Sequence, residues 1–128
     1  MRLRSDLAEL MLATIEGRLQ QVTPVWDECA SACVVLAAKG YPGAVVAGDP
    51  IRGLEDAPAE GDRVVFHAGT ALRNGRIVTA GGRVLGVTAL GPTIRDAVQR
   101  AYEVAKGITW EGMHYRKDIG HRAMKNSA

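Results

Sequence analysis

Two glycine turns constrain this chain more than any other feature. Asn74-Gly75 and Gly81-Gly82 cut the stretch from Arg63 to Leu90 into short apolar runs. Asn and Gly both accept positive φ, which the favoured two-residue hairpin turn requires, so Arg63–Leu72 and Arg76–Thr79 are predicted to pair. Gly81-Gly82 then turns the chain into a third strand, Val84–Leu90. Three strands joined by tight turns predict a small antiparallel meander. Glycine supplies 15 of the 128 residues, well above the usual ~7%, as short strands and tight turns require.

Helical spacing appears on both sides of these strands. Leu7, Leu10, Met11, Ile15 and Leu19 put an apolar face on residues 6–17, with Ser5 or Asp6 to cap the start and Gly17 to stop it. Ile94, Ala97, Val98, Ala101, Tyr102 and Ala105 form the clearest stripe, predicting a helix at about 93–106. Thr93 and Asp96 suit a capping box at its start. Ala32–Ala38 reads as a buried strand, with Cys33 pointing into the core as a small hydrophobe. Ile51–Leu54 reads as a short edge strand, and Glu55, Asp56, Glu60 and Asp62 around Pro58 as a solvated loop. The tail from Ile108 reads either as a frayed terminus or as a basic cluster. The predicted fold class is α+β: a small antiparallel sheet with its hairpin at Asn74-Gly75, flanked by an N-terminal helix and the helix at about 93–106.

Composition excludes several function classes. The longest apolar run, Ala32–Ala38, is far short of the roughly 20 residues a membrane helix needs. The net charge of +2 is too small to argue for nucleic acid, and six aromatic residues make a poor base-stacking platform. Cys29 and Cys33 lack a second pair or a nearby His to complete a zinc site, so no metal is expected. The opening Met-Arg-Leu-Arg-Ser-Asp carries no apolar stretch behind its charges. The expectation is no secretory signal and, with no disulfide framework, a cytoplasmic location.

A self-sufficient active site is hard to assemble from these residues. Ser5, Ser31 and Ser127 sit in no nucleophile turn, and there is no phosphate-binding loop or His-Glu-x-x-His. Anion binding is easier to build. Gly81-Gly82-Arg83 places a guanidinium after a glycine turn, where backbone N–H groups approach closely and Arg can fork onto phosphate oxygens. The same three residues also suit a plain surface turn with a solvated Arg. His67, in Phe66-His67-Ala68-Gly69-Thr70, suits a strand histidine with a satisfied hydrogen bond. Thr70 after Gly69 could offer a hydroxyl or simply end the strand.

Three long segments occur in one order: Phe66 to Thr70, Gly81 to Gly91, and Tyr115-Arg116-Lys117-Asp118-Ile119-Gly120-His121. With Ser5-Asp6-Leu7, Trp26-Asp27 and Gly40-Tyr41-Pro42-Gly43, they resemble the glycinamide ribonucleotide synthetase family over nearly the whole chain. That family consists of ATP-grasp ligases of purine synthesis, much longer than this chain. The resemblance implies that residues 1–30 are the end of the ATP-grasp region, a helix and linker, and that residues 31–128 are the C-terminal domain.

The implied reaction has ATP phosphorylate the carboxylate of glycine. The amine of 5-phosphoribosylamine then attacks the acyl phosphate, giving glycinamide ribonucleotide, ADP and phosphate. Gly82 and Arg83 match a Gly-Arg that grips the sugar phosphate in related ligases. The substrate-binding residues implied are Gly82, Arg83, His67, Gly69, Thr70, Arg116, Lys117 and Asp118, with no catalytic residue in this part. Lys117 stands where many members have Arg, and Val45 and Ala47 where Tyr and Lys are common. ATP and Mg²⁺ are expected in the complete enzyme and held by segments outside this chain. The expected partners are the two substrates and the N-terminal and ATP-grasp domains, with ligase activity absent from this chain alone. The competing expectation is a stand-alone interaction or split-enzyme module with the same fold and no catalysis of its own.

Overall fold

Strand β5 (Arg83–Gly91) lies at the centre of the structure, a computed structural model that describes residues 1–57 and 61–125. β1 (Ala30–Ala37) pairs antiparallel along one edge of β5 and β2 (Arg63–His67) along the other. β3 (Thr70–Arg73) and β4 (Arg76–Thr79) form a separate two-stranded ribbon. The antiparallel α+β class holds, but the meander does not, because β5 returns beside β2 and skips β4. The expected strand Arg63–Leu72 breaks at Ala68-Gly69. There the Gly69 N–H donates to the Arg83 carbonyl at 2.9 Å, and the Gly69 carbonyl accepts from the Ala80 N–H at 2.7 Å. A Cβ on Gly69 would come within 2.8 Å of both the Arg83 carbonyl oxygen and the Gly81 Cα. The two glycine segments cross in contact, and the crossing turns the hairpin out of the main sheet. The hairpin tip is as expected, with Asn74 at φ 48° and Gly75 at φ 73°.

Residues opposite one another in a sheet share a face. Val34, Val87 and Val65 occupy one face together with Leu36 and Leu85, while Val35, Gly86 and Phe66 occupy the other. Helix α2 (Ile94–Gly107) covers the first face and buries Ala97, Val98, Ala101 and Ala105. The predicted stripe is therefore the packing surface, and its alanines let helix and sheet approach closely. Thr93 and Asp96 complete the capping box: the Thr93 hydroxyl accepts from the Asp96 N–H and the Asp96 carboxylate accepts from the Thr93 N–H, both at 3.2 Å. Thr93→Ala is expected to cost about 1 kcal/mol, read as a lower urea midpoint with an unchanged slope.

Two further expectations need correction, and one open reading resolves. Cys33 is exposed, because β1 is buried on one face only and Cys33 shares the open face with the half-exposed Val35. Ile51–Leu54 forms no strand. Pro50 and Arg52 make only isolated bridges, to Val78 and Thr109, so the segment crosses between ribbon and tail without running along either. The tail is not frayed where it is described. Ile108 and Trp110 enter the core, and His114 makes an antiparallel bridge to Ala37. Pro58 and Glu60 of the expected acidic loop, and Ser127, lie outside the described residues.

The N-terminal helix α1 (Leu7–Ile15) starts on Asp6, whose carboxylate accepts from the Ala8 and Glu9 N–H groups, and ends before Gly17 at φ 70°. None of its apolar face is fully buried, Ile15 is 83% exposed, and the one buried residue of the helix, Ala13, lies off that face. Arg4 and Asp27 form an ion pair that ties the entry and exit of this segment together. Among the described residues no helix is long and apolar enough to cross a membrane.

Candidate functional site

The open sheet face carries two adjoining depressions. One, of about 390 Å³, has Cys33, Val35 and Ala37 on its floor and Tyr41, Arg83 and Arg116 among its walls. The other, of about 650 Å³, runs past Ala68, Gly69 and Gly82 and shares Val35, Tyr41 and Arg83 with the first. Arg83 thus borders both. It is the first residue of β5, exposed, and its side chain has no hydrogen-bond or ion-pair partner among the described residues. The local reason is the glycine before it. A Cβ on Gly82 would lie 2.5 Å from the Tyr41 ring, so only glycine lets Tyr41 pack over the start of the strand. The result is an unneutralised guanidinium beside apolar and aromatic walls, an arrangement suited to an anion with an organic body.

Arg116 approaches the same groove from the tail, but its fork is occupied. Nε donates to one Asp118 carboxylate oxygen at 2.8 Å and a terminal nitrogen donates to the other at 2.6 Å. These bonds to Arg116 are the chief reason the Asp118 carboxyl is lowered to about 2. A carboxylate with a lowered pKa contributes to the fold above its ordinary range and loses that contribution as pH falls through the folded-state value. The Arg116–Asp118 fork should therefore survive acidification through pH 4 and open only near pH 2. The Asp118 carboxyl carbon resonance followed by NMR should show that midpoint, and Arg116→Ala should return it toward the ordinary value near 4.

The expected substrate residues thus divide into two groups. Arg83, Gly82, Gly69 and Arg116 meet around the two depressions. His67 and Thr70 do not line them. His67 pairs in register with Leu85, on the face opposite Phe66, and its Nδ1 lies 3.0 Å from the Thr70 hydroxyl, which closes the turn from β2 into β3. Asp118 faces Arg116, and Lys117 is exposed beside them. Tyr41, Tyr115 and Cys33 also line the groove, beyond the residues that the family resemblance implies. Gly40-Tyr41-Pro42-Gly43 was a visible signal for the first of these. No group of three or more His, Cys, Asp or Glu among the described residues could hold a metal ion.

Fold and site together define an α+β domain with one sheet face under a helix and the other open, the open face carrying an arginine-bordered groove. A family model described as phosphoribosylglycinamide synthetase, C domain, matches residues 31–122. The chain belongs to this family. It is 56% identical over 124 residues to a phosphoribosylamine–glycine ligase of Vibrio vulnificus and 54% over 125 residues to one of Yersinia pestis. Each match takes in 97% of this chain and 29% of the relative. A crystal structure of the Thermotoga maritima phosphoribosylamine–glycine ligase is similar with a TM-score of 0.66 and 35% identity, over 88% of this chain and 28% of that one. The chain therefore spans less than a third of the length of these relatives.

Proposed function

We infer that this chain supplies the sugar-phosphate wall of a phosphoribosylamine–glycine ligase, with Arg83 gripping the 5-phosphate of phosphoribosylamine. The observation that carries this reading is the unpaired Arg83 guanidinium on the open sheet face, in a chain matched along nearly its whole length by such ligases. The ligase chemistry calls for this division of labour. A carboxylate is a poor electrophile until phosphorylated, and the amine must then be held against the acyl phosphate by contacts to the rest of its own molecule. The phosphate of phosphoribosylamine is the handle furthest from the reacting amine. Gly82 lets Tyr41 pack over the start of the strand that presents Arg83, and Arg116, paired with Asp118, stands at the groove wall.

In this reading ATP and Mg²⁺ are held by the ATP-grasp region of the enzyme. Residues 1–30 then end the ATP-grasp region and residues 31–128 form the C-terminal domain. In support, the family match starts at residue 31, where β1 has just begun at Ala30. The exposed apolar face of α1 suits burial against the N-terminal and ATP-grasp domains. A purine-synthesis ligase of this kind works in the cytoplasm.

Co-expression with the N-terminal and ATP-grasp portion of the Vibrio vulnificus relative tests the reading. The mixture is expected to form glycinamide ribonucleotide from ATP, glycine and phosphoribosylamine, and neither part alone is expected to do so. Turnover by the purified 128 residues would overturn the division of labour. A folded, associated mixture with no turnover would favour an interaction module instead.

A further inference from the structure

The turn that presents Arg116 to the groove is not closed by its own backbone. The Ile119 N–H does not return to the Arg116 carbonyl. It donates instead to the Tyr102 hydroxyl at 3.1 Å, and that hydroxyl donates onward to the Arg116 carbonyl at 2.7 Å. One side-chain oxygen therefore spans the ends of the Arg116-Lys117-Asp118-Ile119 segment, and it is delivered by helix α2 from the covered side of the sheet. The neighbouring contacts hold the same segment down. The Tyr102 and Tyr115 rings pack with centroids 6.1 Å apart. Gly120, at φ 77°, lies so close to the helix that a Cβ there would stand 2.7 Å from a Val98 methyl. Upstream, the His114 bridge to Ala37 fixes the other end on β1.

We propose that Tyr102 is a positioning residue for the groove: its hydroxyl closes the turn that holds Arg116 beside Arg83. This rests on the reading of the groove as a sugar-phosphate site. The Asp118 fork fixes the direction of the guanidinium within the turn, and Tyr102 fixes the turn on the body of the domain. Two cations on separate elements, the start of β5 and the tail, then keep one separation. A phosphate that engages Arg83 and the terminal nitrogen of Arg116 not bonded to Asp118 pays no cost for ordering the second.

The test is an NMR titration of the 128-residue chain with ribose 5-phosphate, followed at the arginine Nε–H resonances. Both Arg83 and Arg116 should shift in the wild type. Tyr102→Phe keeps the ring and removes the bridge, and is expected to weaken binding about five-fold. Combined with Arg116→Ala it should weaken binding no further than Arg116→Ala alone, because it acts only through Arg116. Thr93→Ala, which loosens α2 without touching the turn, should leave the affinity unchanged and so controls for general destabilisation. Wild-type affinity in Tyr102→Phe, or a fully additive loss in the Arg116→Ala background, overturns the role of Tyr102 while leaving the groove in place. Absence of any shift in the wild type, or binding unaffected by Arg83→Glu, overturns the reading of the groove and this inference with it.

Discussion

Arg83→Glu is expected to raise the KM for phosphoribosylamine about 100-fold in the co-expressed ligase, with the KM for ATP changed little. The side chain stands exposed at the groove with no carboxylate partner among the described residues, so the substitution breaks no internal ion pair and should leave the fold intact. In the proposed site, what it changes is the charge that faces the phosphate. Removing one partner from a desolvated charge pair typically costs roughly 2–5 kcal/mol, and reversing its sign adds repulsion. A change of about 3 kcal/mol corresponds to about 100-fold in affinity. The contrast between the two substrates is the informative part. If the KM for ATP rose as much as that for phosphoribosylamine, Arg83 would be acting on the assembly of the enzyme and not on one ligand.

Leu36→Ala is expected to destabilise the chain by about 3 kcal/mol, whereas Val35→Ala, one residue away, should cost under about 1 kcal/mol. Leu36 is 0% exposed and sits in the core with Leu85 and Trp110, whereas Val35 is 41% exposed on the open face. Truncating Leu36 leaves a cavity that the alanine-lined helix α2 cannot collapse to fill, since its small side chains already pack closely on the sheet. Thermal unfolding should lower the midpoint by on the order of 10 °C for Leu36→Ala and by only a degree or two for Val35→Ala. Equal losses would mean that both faces of β1 are packed. In the complete ligase the gap between the two variants should narrow if the remaining domains cover the open face.

That open face explains why some of the fold was legible and some was not. Helix α2 could be read because its signals are local. Thr93 and Asp96 lie three residues apart, and the alanine stripe repeats along one helix. The Asn74-Gly75 tip was equally local. The strand order depends on Gly69 meeting Gly81, a contact between segments twelve residues apart that no local signal announces. Ala32–Ala38 is continuously apolar, which hides the alternation of a one-faced strand and points Cys33 to the core. The run is apolar on both faces because the exposed face carries Val35 and Cys33 where polar residues would mark a solvated one. At the site, Gly81-Gly82-Arg83 was visible as a sequence signal. The convergence of Arg116 on Arg83 was not, because it depends on the tail crossing β1 at Ala37 and on the Tyr102 bridge. His67 and Thr70 belonged to the same family segment as Gly69, but alternation along β2 turns His67 to the opposite face from Phe66.

The most direct test is a crystal structure of this chain, alone or co-expressed with the N-terminal and ATP-grasp portion of the Vibrio vulnificus relative, grown with ribose 5-phosphate. The account requires the phosphate oxygens to lie within hydrogen-bond distance, about 3 Å, of the Arg83 guanidinium, with the sugar over the Tyr41 side of the groove. A phosphate bound elsewhere, with Arg83 still free in solvent, would contradict it.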